Sequence, residues 1–197
     1  MHVYVVFAHP SHESFTYEVL QEFLGGLEEG GHTYELGDLY AMSFQTDMDL
    51  DQYDRETGGD PAAPVPADVA AEHKKIERAQ GLAFVYPVWW SDCPAKLKGW
   101  FDRVHTSGFA YVYQEGSHLT SRFHPEKVVV LCPAGHTIED LEKVGIVDAM
   151  RRVMIEDRLL GVGAKTAHME ILGGMVPGGA KVREKNLARA RELGREF

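Results

Sequence analysis

Residues 3–8 read VYVVFA, and the eight that follow, 9–16, read HPSHESFT. A run of β-branched and aromatic residues this short is typical of a strand buried on both faces. Downstream, Phe15, Val19, Leu20, Phe23, Leu24 and Leu27 recur at helical spacing through Glu29, with Gly30-Gly31 as the stop. A doubly buried strand that passes straight into an amphipathic helix opens a βαβ unit, and the rest of the chain repeats that alternation.

Thr33–Leu39 is a weaker, partly alternating strand candidate. Residues 40–66 are rich in Asp, Pro and Gly without sustained periodicity and are expected to form a long functional or mobile loop. Ala67–Ala79 reads as a helix and Leu82–Tyr86 as a second buried strand. Between Pro94 and Val104, Leu97, Trp100, Phe101 and Val104 fall at i, i+3, i+4 and i+7, a helix with Pro94 at its first position. Lys127–Cys132 is the next buried strand. Thr137 and Asp140 make a capping pair for a long helix to about Leu160. Lys165–Leu172 is a last strand, and Ala180–Arg195 a basic helix whose charges read as a solvated face. Strands alternating with helices require crossovers and a parallel sheet covered on both faces. Five strands and five helices predict an α/β, flavodoxin-like, doubly wound sheet of order 2-1-3-4-5, as one domain over 1–197.

The 197 residues are 44% hydrophobic and 10% aromatic, which excludes a disordered or collagen-like chain. The longest apolar stretch, Leu82 to Trp90, is half the ~20 residues of a membrane-spanning helix. No basic n-region precedes the first strand, and Cys93 and Cys132 make neither a disulfide framework nor a zinc pattern. A soluble cytoplasmic protein is expected. The net charge is −10, and residues 1–60 carry 13 acids against the single base Arg55. An acidic chain disfavours nucleic acid and polybasic membrane docking. Any anionic ligand must therefore be held by a local device.

Ligands of open α/β sheets bind beyond the carboxyl ends of the strands, which singles out three loops. The loop at 9–16 is neither a P-loop nor a GxGxxG fingerprint. It offers His9, three hydroxyls (Ser11, Ser14, Thr16) and free N–H groups at a helix N-terminus, the parts of a phosphate site built from neutral donors. The same residue types also serve as ordinary caps. The loop at 87–94, PVWWSDCP, has adjacent tryptophans suited to wall a flat aromatic ligand, against the alternative of core packing. Cys93 has no basic partner in local sequence and reads as a small buried thiol. The turn Pro133-Ala134-Gly135-His136-Thr137 allows close backbone approach at Gly135 and supplies His136, either a proton donor or a solvent-exposed histidine. Together the three loops suggest a flavin phosphate with its isoalloxazine ring. No HExxH, HxH or CxxC pattern points to a metal, and no GxSxG elbow to a serine hydrolase.

The segments AHPSHESFTYE (8–18), DLYAMSF (38–44), AEHKKIERA (71–79), PVWWSDCPAKLKGWFDRV (87–104) and GFAYVY (108–113) occur in this order. With them the chain resembles the flavin-dependent NAD(P)H:quinone oxidoreductases related to DT-diaphorase. The resemblance covers most of residues 3–135. It implies a homodimer with non-covalent FAD or FMN at the interface, reduced by NAD(P)H and reoxidised by a quinone-like acceptor in ping-pong fashion. It implies that His9, Ser14, Phe15 and Thr16 hold the phosphate and ribityl end, and that Pro87, Val88, Trp89 and Trp90 line the ring, with Trp90 beside the substrate. Ala134 and Gly135 stand where the family's turn offers backbone donors to the ring. Tyr111 and Tyr113 match the tyrosines that a partner subunit presents over the substrate. The chain departs from the family at 133–136, where DT-diaphorase has Thr-Thr-Gly-Gly. It departs again at Leu141 and Val147, which replace the tyrosine and histidine of that enzyme's proton relay. Either His136 or a water takes over that role, or the acceptor is not a classical quinone. The competing readings are azo- or nitro-reduction, a flavodoxin-like electron carrier, and an ancillary subunit of a potassium efflux system.

Overall fold

The computed structural model describes residues 1–58, 60, 62–111, 123–176 and 179–197. Five strands, β1 (His2–Phe7), β2 (Thr33–Asp38), β3 (Gly81–Val85), β4 (Lys127–Pro133) and β5 (Ala167–Leu172), form one all-parallel sheet in the order β2-β1-β3-β4-β5. This is the predicted order. Alternate residues of β1 explain why its sequence is continuously apolar: Tyr4 and Val6 enter one core layer with Phe84, Trp100, Phe101 and Val130. Val3, Val5 and Phe7 enter the other with Phe23, Leu27, Val85, Leu131 and Leu193.

Helices α1 (Phe15–Glu29) and α7 (Gly179–Arg195) cover the second layer, and α3 (Ala67–Arg78), α4 (Ala95–Val104) and the helices before β5 cover the first. Gly26 and Gly194 let α1 and α7 meet backbone to backbone. A Cβ on Gly26 would collide with the carbonyl of Arg191, and one on Gly194 with that of Phe23. The charges of α7 are therefore not simply a solvated face. Arg183 pairs with Glu18, and Arg191 pairs with Glu22 and Glu29 at 2.7 and 2.8 Å. Basic residues from the end of the chain thus meet acids of its strongly negative first 60 residues.

Two other expectations are corrected. Residues 40–66 contain a helix, α2 (Leu50–Thr57), capped by Asp49, whose Oδ1 accepts from the Gln52 N–H at 2.8 Å. Its buried anchor is polar. Gln52 donates to the Arg103 carbonyl and accepts from Arg103 Nε, both at 2.8 Å, while the same guanidinium binds Asp68 and the Gln45 carbonyl. A helix held by an amide and an arginine leaves no apolar stripe to read. The single helix expected over 137–160 is also broken. α5 (Ile138–Lys143) begins at the expected Thr137 cap, with the Asp140 N–H donating to Thr137 Oγ1 at 3.1 Å. Gly145, at φ +75°, then turns the chain into α6 (Ile146–Arg151), which passes into a π-helix over Arg152–Leu160.

Beneath α3 lies a buried polar knot. Glu72 accepts from Tyr4 Oη, from Trp100 Nε1 at 2.7 Å and from Lys75 Nζ at 2.6 Å. The carboxylate is fully buried, and these three donors replace its water. Burial, and then the neighbouring Glu72 charge, push the Tyr4 hydroxyl far above its ordinary range.

Candidate active site at the carboxyl edge of the sheet

The chain leaves β1 and enters α1 through residues 8–14. Ser14 caps α1: its Oγ accepts from the Tyr17 N–H at 3.2 Å and donates to the Ser11 carbonyl at 2.8 Å. Ser11 Oγ accepts from the Glu13 N–H at 3.1 Å. These hydroxyls are therefore engaged in shaping the loop. His9 Nδ1 lies 3.0 Å from both the N–H and the carbonyl oxygen of Ser11, so this nitrogen is engaged within the loop, and Nε2 has no partner among the described residues. Thr16 is buried, and its hydroxyl has no hydrogen-bond partner among the described residues, nor do the Phe15 and Thr16 N–H groups of the first helical turn. Unused polar groups, His9 Nε2, two amides and one hydroxyl, thus gather at a helix N-terminus, where the helix dipole favours an anion.

Two charged groups that local sequence did not bring into view complete this loop. His12 Nε2 lies 2.7 Å from Asp38 Oδ2 at the end of β2, and its ring stacks on Tyr17 with centroids 4.6 Å apart. The guanidinium of Arg183, 167 residues after Thr16 in the chain, lies 4.9 Å from the Phe15 ring centroid. A cation therefore stands beside a loop that contains no lysine or arginine of its own.

The second loop follows β3. The Val88 N–H donates to the Pro133 carbonyl at 2.8 Å, tying this loop to the one after β4. Trp89 and Asp92 then exchange backbone hydrogen bonds of 3.0 and 3.2 Å across a tight turn whose central residues are Trp90 at φ +51° and Ser91 at φ +66°. Such turns favour Gly and Asn, and each left-handed residue with a Cβ costs about 1–2 kcal/mol. The Trp90 side chain is fully exposed, at 101%, and Trp89 is 42% exposed. Neither is core packing. The Trp89 ring lies 5.8 Å from that of His9, which joins this loop to the first.

In the third loop the Ala134 N–H is consumed by the Leu172 carbonyl at 3.1 Å, and the Gly135 carbonyl accepts from Val176. The turn therefore presents the N–H groups of Gly135 and His136, which have no partner among the described residues, and the exposed His136 side chain. Ala134 contributes position rather than a donor.

Tyr111 lies beside α2 and the π-helix. Its hydroxyl lies 3.4 Å from Glu56 of α2, and its side chain lines a cavity of about 460 Å³ with Phe101, His105 and Arg158. Tyr113 lies outside the described residues. Both thiols are buried, Cys93 pushed up to about 12 and Cys132 raised further, each first by burial, so neither is a nucleophile at neutral pH.

β1 and β3 are neighbours in the sheet although β2 intervenes in sequence, so the crevice between the loops that follow them is the topological switch point. The fold and this crevice define a flavodoxin-like protein with a ligand site at the switch point. A family model described as "Flavodoxin-like fold" matches residues 1–195. A solved NAD(P)H:quinone oxidoreductase from Methanothermobacter marburgensis is 59% identical, with a TM-score of 0.94, over 100% of this chain and 96% of that one. The NAD(P)H dehydrogenase [quinone] 1 of Cavia porcellus is 34% identical over 122 residues, 55% of this chain and 44% of that protein. A solved FMN-dependent NADH-azoreductase from Bacillus anthracis, in complex with FMN, shares the fold at 17% identity and a TM-score of 0.75, over 99% and 98% of the two chains. The chain belongs to the NAD(P)H:quinone oxidoreductase family of flavodoxin-like proteins. It spans about half the length of the curated relatives it matches first, 44% and 48%.

Proposed function

We propose that the chain is a flavoprotein oxidoreductase that takes a hydride from NAD(P)H and passes it to a quinone or similarly electrophilic acceptor, the two substrates using one site in turn. The observation that carries this is the 5.8 Å contact between His9 and Trp89, which unites a phosphate-type cradle and an exposed aromatic wall at the switch point. The groups present fit a flavin phosphate: His9 Nε2, the Phe15 and Thr16 amides and the Thr16 hydroxyl are all unused, and Ser14 holds their geometry. Pro87, Val88, Trp89 and Trp90 would flank the ring, and the Gly135 and His136 amides would serve its polar edge. When bound, the flavin supplies a hydride acceptor and donor.

The residues supply binding, orientation and the proton. His136, exposed beside those amides, would deliver a proton to the reduced acceptor, a role that Leu141 and Val147 are chemically unable to fill. In a homodimer each chain would offer Tyr111 and Tyr113 to its partner's substrate. The two free thiols accord with a reducing cytoplasm.

The test is direct. The purified chain takes up FMN or FAD, which mass measurement after heat release identifies. Its visible absorbance bleaches on anaerobic NAD(P)H and returns with quinone. A chain that binds neither flavin overturns this reading. An absorbance restored faster by azo dyes than by quinones reassigns the acceptor.

A further inference from the structure

The Trp90–Ser91 turn holds two residues with Cβ atoms in left-handed backbone, closed by the two Trp89–Asp92 backbone bonds, and further contacts converge on the Asp92 side chain at its end. Asp92, the last residue of the turn, accepts from the Cys93 N–H at 2.7 Å through Oδ1. Arg158 then grips the same carboxylate at both oxygens, at 3.0 and 3.1 Å. The guanidinium is itself fixed: it lies 5.6 Å from the centroid of the Phe101 ring, has NH1 3.6 Å from Cys93 Sγ, and is only 11% exposed. Arg158 sits in the π-helix, whose wider turn resets side-chain register relative to the α-helix before it, a device frequent at functional sites. The fork matters because a bidentate guanidinium–carboxylate pair fixes orientation as well as distance, which a lysine ammonium does not.

Resting on the flavin reading above, we propose that Arg158 is a positioning residue: through Asp92 it holds the Trp90–Ser91 turn in its left-handed form and thereby sets the aromatic wall of the active site. Arg158 touches neither tryptophan in its own right, so its effect passes through the turn backbone. If the clamp exists to hold strained backbone, it becomes dispensable once the strain is removed. Ser91→Gly removes the Ser91 share of that strain, because glycine adopts φ +66° without penalty, and leaves the Trp90 indole in place to be read.

The experiment is a double-mutant cycle on the full chain with Arg158→Lys, Ser91→Gly and the pair, read in two ways. In the flavin-loaded protein, Arg158→Lys raises the acceptor KM so that kcat/KM falls about tenfold or more, as misplacement of a binding wall does. In the Ser91→Gly background the same change costs less than about threefold, a coupling between sites that act on one backbone. In the chain without flavin, the indole N–H resonances of Trp89 and Trp90 shift or double in Arg158→Lys and return to one set in the pair, while that of Trp100 stays fixed. Asp92→Asn, which keeps an acceptor for Cys93 but weakens the fork, repeats the pattern if Arg158→Lys does not fold. Strictly additive effects, or unmoved Trp89 and Trp90 resonances, overturn the clamp. A wild-type chain that binds no flavin overturns the function instead, and the indole spectra still decide whether the clamp exists.

Discussion

Thr16 is buried, its hydroxyl is unpaired among the described residues, and it lies in the first turn of α1, where the Phe15 and Thr16 amides are also unpaired. A hydrogen bond to a charged group contributes about 1.5–3 kcal/mol. Thr16→Val keeps the shape and loses the donor, so FMN affinity should fall by at least about tenfold. Riboflavin, which has no phosphate, should bind both proteins alike, and a fluorescence titration with the two ligands checks this. His105 carries a different consequence. Its Nε2 is sealed from solvent without a partner, and burial, aided by the charges of His73 and Arg158, pulls its pKa down to about 3. The folded chain therefore refuses a proton that the unfolded chain accepts below pH ~6.5. Stability is unaffected above that pH and falls as pH drops from there toward 3, by up to about 1.4 kcal/mol per unit. His105→Phe should flatten this part of the denaturant-midpoint profile. An unchanged slope would show that His105 is protonated in the fold. Neither property is visible in sequence, where a histidine after a helix reads as a surface residue.

Among the elements, those that sequence made legible are those held by apolar burial. β1, β3 and β4 announce themselves because both faces are covered, and α4 because Leu97, Trp100, Phe101 and Val104 form its inner stripe. α2 was illegible because its anchor is Gln52, 1% exposed and hydrogen-bonded at both ends of its amide to Arg103. The bonds of such an anchor are specified 51 residues away. Gln52→Ala strands the Arg103 Nε–H and its carbonyl, at a cost of about 2–4 kcal/mol. The midpoint of urea unfolding should fall accordingly, and α2 should become the first site of limited proteolysis. The long helix over 137–160 was misread for a related reason. The capping pair and the apolar residues are present, but a positive φ at Gly145 and the π-helix that carries Arg158 toward Asp92 are decided by what they pack against.

Across the whole molecule, charge is where the chain ends and the chain begins come together. Residues 1–60 carry the strong negative excess, and α7 lays arginines along α1 to meet it. The phosphate-type cradle is then less hostile to an anion than its own segment implies, because Arg183 stands over Phe15. Arg183→Glu should weaken FMN binding by about tenfold at low salt and leave riboflavin binding unchanged, with the difference shrinking as salt is added. Equal losses for both ligands would mean that Arg183 acts on packing alone.

The sequence by itself determined the strand order and the three loops at the carboxyl edge of the sheet, because periodic apolar burial and crossover topology are local, repeated signals. Only the tertiary structure decided which donors in those loops are free, that the Ser14 hydroxyl and the Ala134 amide are engaged in the fold, and that Arg158 reaches Asp92 and Arg183 reaches Phe15. Hydrogen-bond capacity is allotted among groups that meet in space, and a guanidinium more than sixty residues away leaves no periodic trace near the carboxylate it holds.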